Sequence, residues 1–209
     1  MSLTINHQTN DISASSGSMT IDGAAVGAET LLSTTTVSGL PTSVTVGSST
    51  IFSSTYKLYR IRATNLCYSI DLGYSQLRCV SGGSVDTGNN YYLDRRLYVN
   101  GTAPALSGQS TTSIWYDADI NAANSDNYSF HNVNILLYDP ASTKLNKRMF
   151  IESNHVNAAH NLAGSRSLAE YRPSSQAAVT GIQFFSHVAT AQFKSFNSMD
   201  PTIKIYGIS

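Results

Sequence analysis

Charged side chains are scarce in this chain. They make up 12% of the 209 residues, about half of the usual share in globular proteins, and the net charge is zero. Nucleic-acid binding needs a concentrated basic face and membrane-surface binding a basic amphipathic helix, so we expect neither partner. No Lys or Arg precedes Lys57, whereas three acidic residues do: Asp11, Asp22 and Glu29. With 13 basic and 10 acidic residues from Lys57 onward, the charge is −3 before it and +3 after it.

Long apolar runs are also lacking. No run approaches the roughly 20 residues of a membrane-spanning helix. The first residues, Met-Ser-Leu-Thr-Ile-Asn, have neither the basic stretch nor the apolar stretch of a signal peptide. We therefore expect no membrane segment and no signal peptide.

Cysteine occurs only twice, at Cys67 and Cys79. Each lies in a strand-like run, which predicts two small buried side chains. A disulfide would require neighbouring strands and an oxidising compartment, and the sequence leaves that pairing open.

Serine and threonine dominate the beginning of the chain, where they make up about two in five of the first 55 residues. Paired apolar residues at period two predict short strands at Leu3–Asn6 and Ser18–Asp22. The segment cannot bury enough apolar surface to fold alone. We therefore predict that residues 1–49 form an extended stalk that obtains its core from other chains, with a flexible tail as the alternative. The side chains expected to make these contacts are Leu3, Ile5, Met19 and Ile21.

From Tyr56 onward, apolar and polar residues alternate in runs of four to eight residues. Tyr91–Val99 and Val133–Leu137 are clear examples, and turn residues such as Ser81-Gly82-Gly83 separate the runs. This pattern is typical of an antiparallel sandwich or barrel, and we predict an all-β domain over residues 50–209. Its last strand should place Ile203 and Ile205 in the core, with Lys204 and Tyr206 outside.

Two local features lie inside this pattern. A hairpin is predicted at Asp139-Pro140-Ala141-Ser142, because Pro presets φ at the second turn position and Asp bonds the following backbone. The segment His155–Ala169 resists the strand pattern. It is rich in alanine, and Ser167-Leu168-Ala169-Glu170 resembles a capping box, so a short helix or a long loop is expected there.

No motif for catalysis or for a metal site is found. Asp117-Ala118-Asp119-Ile120-Asn121 begins like a calcium loop, but Ala122 and Tyr128 occupy the positions that require Gly and Glu. There is no Gly-x-Ser-x-Gly elbow and no phosphate-binding glycine loop. We therefore predict no enzymatic activity, no metal and no cofactor. The five histidines are scattered and are expected in loops or at the surface: His7, His131, His155, His160 and His187.

Tyrosine is abundant, with twelve residues against one tryptophan. The densest aromatic pairs are Tyr91-Tyr92 and Trp115-Tyr116. Aromatic faces with Asn and Asp nearby suit stacking against a sugar and hydrogen bonding to its hydroxyls, so these four are candidate ligand-binding residues. Packing in the core or between subunits is the alternative, because alternation buries about every second aromatic of a sandwich.

Four motifs resemble those of a jelly-roll-like domain found in tailed-bacteriophage virion proteins, especially tail fibres and other appendages. The family pattern has an early Tyr-x-x-Tyr-x-Ile strand, a Tyr-Asn/Asp-Pro-Ala-Ser-Thr hairpin, a Gly-Ile-x-Phe-x-Phe-Ser strand and a closing Arg/Lys-Ile/Leu-Tyr-Gly-Ile strand. The chain reads Tyr56-Lys-Leu-Tyr-Arg-Ile, Tyr138-Asp-Pro-Ala-Ser-Thr, Gly181-Ile-Gln-Phe-Phe-Ser and Lys204-Ile-Tyr-Gly-Ile. The resemblance covers about residues 50–209 and departs at Tyr91–Asn127. The N-terminal segment is similar to stalk segments of marine and cyanobacterial phage proteins.

The resemblance implies a jelly-roll-like sandwich and a homotrimer in a virion that is assembled in the host cytoplasm. The expected function is that of a tail-fibre or appendage protein that contacts a glycan or protein of the host surface. The stalk would bind other virion proteins. A capsid cement or decoration protein is the alternative, since fold alone does not decide function, and a glycan-modifying enzyme is the third reading. The number of copies per particle separates tail from capsid.

Overall fold

The computed structural model describes residues 3–6, 11–14, 20–21, 24–25, 29–70, 75–99, 105–116, 131–156, 162–195 and 199–209. Side chains are described from residue 29 onward, except at residues 97, 99, 105–110 and 156. All regular elements in these ranges are β-strands. No helix long and apolar enough to cross a membrane occurs among them.

Seventeen strands are described, and their bounds follow in chain order: β1 (Leu3–Asn6), β2 (Asp11–Ala14), β3 (Thr20–Ile21), β4 (Ala24–Ala25), β5 (Glu29–Thr36), β6 (Ser43–Val46), β7 (Leu58–Leu66), β8 (Ser75–Ser81), β9 (Ser84–Val85), β10 (Tyr91–Val99), β11 (Ala105–Thr111), β12 (Ile114–Trp115), β13 (His131–Tyr138), β14 (Lys147–Val156), β15 (Leu162–Tyr171), β16 (Val179–Ser186) and β17 (Thr202–Ile208).

The strands build two large antiparallel sheets. The larger sheet has eight strands in the order β11-β10-β15-β14-β13-β7-β17-β5. The smaller has the order β12-β8-β16-β6, with β9 paired to β8. The two sheets pack together around a hydrophobic core, which confirms the predicted jelly-roll-like β-sandwich.

The core follows from the alternation of buried and exposed residues, which is clearest in β13. In β13 the inward residues are buried and the residues between them are partly or fully exposed. Strand β16 brings Ile182 and Phe184 to the core from the smaller sheet. Tyr59 of β7 meets Phe52 edge to face, with ring centroids 5.2 Å apart. Each fully buried large apolar side chain stabilises the fold by roughly 1.5–3 kcal/mol.

The last strand lies inside the large sheet. Strand β17 pairs with β7 on one side and with β5 on the other. Ile203 and Ile205 are buried, whereas Lys204 is exposed and Tyr206 is partly exposed. The prediction for the closing strand is therefore confirmed.

The segment before residue 50 contributes to both sheets. Strand β5 pairs with β17 in the large sheet and β6 pairs with β16 in the small sheet. Val46 of β6 is buried in the core. A domain that began at residue 50, as the composition predicts, would lack both strands. Composition missed them because strands at a sheet edge are compatible with many Ser and Thr residues.

The predicted strand at Leu3–Asn6 coincides with β1, which pairs with β2. Strand β3 lies within the second predicted strand and pairs with β4. The predicted stalk contacts of Leu3, Ile5, Met19 and Ile21 involve side chains outside the described part of the structure. The calcium-like sequence at residues 117–121 also lies outside the described residues.

The expected helix or loop after His155 is wrong. Strand β14 continues to Val156, and β15 begins at Leu162. Alternation holds in β15, because Arg166 and Leu168 are exposed while the small residues between and beside them are buried: Ala163, Ser165, Ser167 and Ala169. The sequence does not reveal this strand because its inward side chains are small, and alternating alanine and serine do not form a recognisable apolar face.

Two histidines are buried, contrary to the expectation of loop or surface positions. His131 and His155 lie opposite each other on β13 and β14 and are 0% and 3% exposed. The Nε2 atom of His131 is 3.0 Å from Oγ of Ser75. Both lie at inward positions of their strands, so their side chains point into the core. His187 is exposed as expected, and His7 and His160 lie outside the described residues.

Both cysteines are buried and neither forms a disulfide, which confirms the predicted burial. Burial raises the pKa of the Cys79 thiol far above its ordinary value, and the nearby Asp86 carboxylate adds to this. A thiol that stays protonated is a poor nucleophile and metal ligand. Cys79 is therefore a core residue of the small sheet.

Candidate functional site

The outward side of the large sheet carries an open groove of about 1210 Å³. Strand register builds its floor from two rows of outward side chains. The first row crosses β10, β15, β14 and β13 and consists of Tyr92, Glu170, Arg148 and Tyr138. The second row consists of Asp94, Leu168 and Phe150. We call this feature the outer-face groove.

One wall of the groove is the loop 139–146 between β13 and β14. It begins with the predicted turn, in which the Ser142 amide donates to the carbonyl oxygen of Asp139 over 3.1 Å. Asp139 has a φ of 43°, a left-handed conformation that Asp tolerates better than most residues. The Ser142 hydroxyl then accepts from the amides of Lys144 and Leu145, each at 3.2 Å.

Lys147 holds this loop from below. Its side chain is 1% exposed, and its ammonium donates to the carbonyl oxygens of Ser142 and Leu145, both at 2.5 Å. Burial lowers the pKa of Lys147, although the charge of Asp139 partly opposes this. The lysine thereby satisfies two loop carbonyls that would otherwise lack a donor.

Glu170 is fixed in the floor by two hydrogen-bonding partners. Nδ2 of Asn146 donates to Oε1 over 3.2 Å, and Nε of Arg172 donates to Oε2 over 2.7 Å. Nε2 of Gln176 in turn donates to Oδ1 of Asn146 over 2.6 Å. Burial alone would raise the pKa of Glu170, but the Arg172 and Asn146 hydrogen bonds outweigh it and lower the pKa. These bonds favour the ionised carboxylate and hold it in one orientation.

The same arginine positions Tyr92. The Arg172 guanidinium lies 4.4 Å from the centroid of the Tyr92 ring, a cation–π contact. Tyr92 remains 39% exposed and Tyr138 is 46% exposed. Two aromatic rings are therefore presented to solvent at opposite ends of the first row.

The groove is apolar between its polar groups. Leu168 and Leu145 are 62% and 59% exposed, and Phe150 is partly exposed. Exposed apolar side chains are common when scattered, whereas a contiguous group rimmed by polar residues indicates an interaction site. The outer-face groove has this second arrangement.

The predicted ligand-binding residues separate into two pairs. Tyr92 lies in the groove. Trp115 is 38% exposed on β12 of the smaller sheet, and its Nε1 donates to Oγ of Ser113 over 3.0 Å. Tyr91 and Tyr116 have no exposed surface, so these two are core residues and the alternative role applies to them. Alternation explains the split, because neighbours in a strand point to opposite faces.

Tyr91 and Tyr171 belong to a polar cluster around Asp86, which is itself partly exposed. The Tyr91 hydroxyl accepts from the Cys79 amide and donates to the carbonyl oxygen of Asp86 over 2.9 Å. The Tyr171 hydroxyl donates to the Asp86 carboxylate over 2.6 Å. Burial raises the pKa of both tyrosines. The cluster joins the two sheets and both tyrosines are buried residues, so we assign it a structural role.

Sequence inspection missed most of the groove. Arg148 lies in one run, whereas Glu170 and Arg172 lie two positions apart in another, and only pairing of β14 with β15 brings Arg148 to Glu170. The available signal was alternation, which marks all three as outward residues. No cluster of three or more His, Cys, Asp or Glu side chains suited to a metal is found among the described residues.

Comparison with known proteins identifies no relative of this chain. No protein-family model matches the chain, and no curated protein or solved structure matches it either.

Proposed function

We propose that the chain is a structural protein of a tailed-bacteriophage particle, a homotrimeric tail-fibre or appendage protein without enzymatic activity. Its sandwich contacts the host surface, and its N-terminal segment binds other virion proteins. The observation that carries the binding role is the outer-face groove, in which exposed Tyr92 and Tyr138 flank a fixed Glu170. The four motifs named above support the virion assignment.

The groove is preorganised for binding. The groove lies on four hydrogen-bonded strands, and its wall is tied down by Lys147. A ligand that binds there orders few protein side chains, so less binding free energy is lost to entropy. Tyrosine and arginine are also, with tryptophan, the side chains most enriched at the hot spots of protein–protein interfaces.

The test is adsorption to the host. Purified protein should compete with intact particles for host cells, and immunogold labelling should place the chain at the tail or at an appendage. Sedimentation of the full chain should give three copies. A monomer at micromolar concentration would contradict the homotrimer, and particles that lack the chain would contradict the virion assignment.

A capsid cement or decoration protein is the second candidate. The apolar side chains Leu145 and Leu168 favour it, because exposed leucines suit a protein neighbour as well as a small ligand. Copy number per particle decides between the two. Hundreds of copies would establish a capsid protein, and tens or fewer an appendage.

A further inference from the structure

The charges that line the outer-face groove are unevenly compensated. Asp139 pairs with Lys57, whose Nζ is 3.2 Å from Oδ1. Glu170 pairs with Arg172. Two of the three acidic groups therefore already have cationic partners, and Asp94 is the third.

The two cations of the groove are differently placed. Arg148 is 79% exposed along its side chain, and its Nε is 3.8 Å from Oε1 of Glu170, beyond hydrogen-bond distance. Lys144 is exposed on the loop wall, and within the described part of the chain its ammonium forms no ion pair. Both cations can accept an anionic group without breaking a close ion pair.

Spacing adds a second constraint. Tyr92 and Tyr138 are three strands apart in one row, which corresponds to about 14 Å between backbones at the usual strand separation. A ligand that stacks on both rings must be longer than one sugar ring. Arg148 lies between them, so an anion near the middle of such a ligand would reach its guanidinium.

The floor also excludes one mode of peptide binding. Strands β10, β15, β14 and β13 are each paired on both sides, so a peptide has no open strand edge to extend here. Sugars offer an apolar C–H face for the tyrosine rings and hydroxyls for hydrogen bonds. Oε1 of Glu170 accepts from Asn146 and has a second lone pair that can accept from such a hydroxyl.

We propose that the outer-face groove binds an anionic oligosaccharide, whose rings stack on Tyr92 and Tyr138 and whose acidic group is held by Arg148 and Lys144. This inference rests on the proposed host-surface function and names the ligand class for it. Guanidinium groups suit carboxylate and phosphate equally, so the shared chemistry is a sugar that carries either group.

The test is a glycan array of bacterial capsular and lipopolysaccharide fragments that includes neutral and acidic members. We expect binding to acidic fragments of at least two sugars, and weaker binding at high salt because the charges are exposed. Carboxyl reduction or dephosphorylation of the best fragment should weaken binding about tenfold or more, which corresponds to about 1.4 kcal/mol, and shows which anion is bound. No binding, or binding to neutral fragments alone, would overturn the proposal.

Single substitutions test whether the ligand binds at the outer-face groove. Arg148→Met and Tyr138→Ala should each weaken binding about tenfold. Arg166→Met is the matched cation control, since Arg166 is exposed on the same sheet and pairs with Glu152 outside the groove. Trp115→Ala is the aromatic control for Tyr138→Ala, with an exposure of 38% against 46% for Tyr138. Equal loss in a control and its partner would refute the groove as the site.

Two results separate this inference from the function on which it rests. Competition for host cells without binding to any acidic fragment would refute the ligand class and leave the host-surface function intact. Failure to compete, with no copies at the tail, would refute the function itself. Thermal melting of each variant checks that the exposed substitutions leave the fold unchanged.

Discussion

Gly207 lies directly beneath the ring of Tyr56. A Cβ atom at position 207 would be 2.5 Å from Cδ2 of that ring, closer than two carbon atoms can approach without displacement. The glycine sits at an inward, buried position of β17, so its missing side chain makes room for the tyrosine. The packing of Tyr56 therefore explains why glycine occurs in the closing Tyr-Gly-Ile motif.

Gly207→Ala should destabilise the fold by about 1–3 kcal/mol, because an added methyl in a packed core forces neighbours to move. The free energy of unfolding from urea titration measures it. In a Tyr56→Ala background the same substitution should cost much less, since the clash is gone. An equal cost in both backgrounds would mean that the ring contact is not the cause.

The double variant Ile203→Ala, Ile205→Ala should come close to unfolding the domain. Each buried isoleucine truncation costs about 2–5 kcal/mol, against about 5–15 kcal/mol for a whole domain. Lys204→Ala, on the exposed side of the same strand, is the control and should change little. A double variant that melts within a degree or two of wild type would contradict the core placement.

Asp86 makes the stability of the fold depend on pH in the acidic range. Burial would raise its pKa, but hydrogen bonds from Tyr171, Gly88 and Asn90 outweigh burial and lower it below 3.8. A lowered carboxyl pKa stabilises the fold above the unfolded value, and this stabilisation is lost as pH falls through the folded pKa. Asp86→Asn should therefore lower the free energy of unfolding at neutral pH by about 1–3 kcal/mol. The variant should also lose less stability than wild type as the pH falls below about 4.

Tyr171→Phe provides the companion to that experiment. It removes one donor to the Asp86 carboxylate, so acid unfolding should begin at higher pH than in wild type. Melting midpoints from pH 7 down to acid measure both effects. Parallel pH profiles for wild type and Asp86→Asn would show that another group controls acid unfolding.

Lys147→Met should loosen the groove wall. The substitution removes two charge-assisted hydrogen bonds to the carbonyls of Ser142 and Leu145 while it also removes a buried charge, so we expect a modest loss of about 1–3 kcal/mol. Hydrogen exchange should speed up at the amides of residues 142–146. Lys144→Met, on the same loop but exposed, is the control, and equal exchange in both variants would contradict the role of Lys147.

A domain beginning at residue 29 should melt cooperatively, whereas one beginning at residue 50 should not. The shorter form lacks β5, which pairs with β17, and β6, which brings Val46 to the core. Exposed strand edges then favour aggregation. Calorimetry of the two forms measures this, and a cooperative transition in the shorter form would show that the edge strands are dispensable.

How much of the site was predictable can be seen from Tyr92 and Glu170. The aromatic pair at Tyr91-Tyr92 was found from composition, and alternation correctly implies that only one of the two is outward. Glu170 looked like part of a helix cap, because the small residues of β15 masked its period. A charge becomes a binding group only through neighbours on other strands, and pairing across strands has no local sequence signal.

The sequence by itself determined the fold class, the turn at Asp139–Ser142 and the inward position of Ile203 and Ile205, because period-two alternation and turn chemistry are local. Tertiary structure alone decided that Arg148 and Glu170 share a row, that Lys147 supports the groove wall and that Tyr56 occupies the space over Gly207. Those relations depend on strand order and register, which arise when distant segments bury their apolar faces against each other.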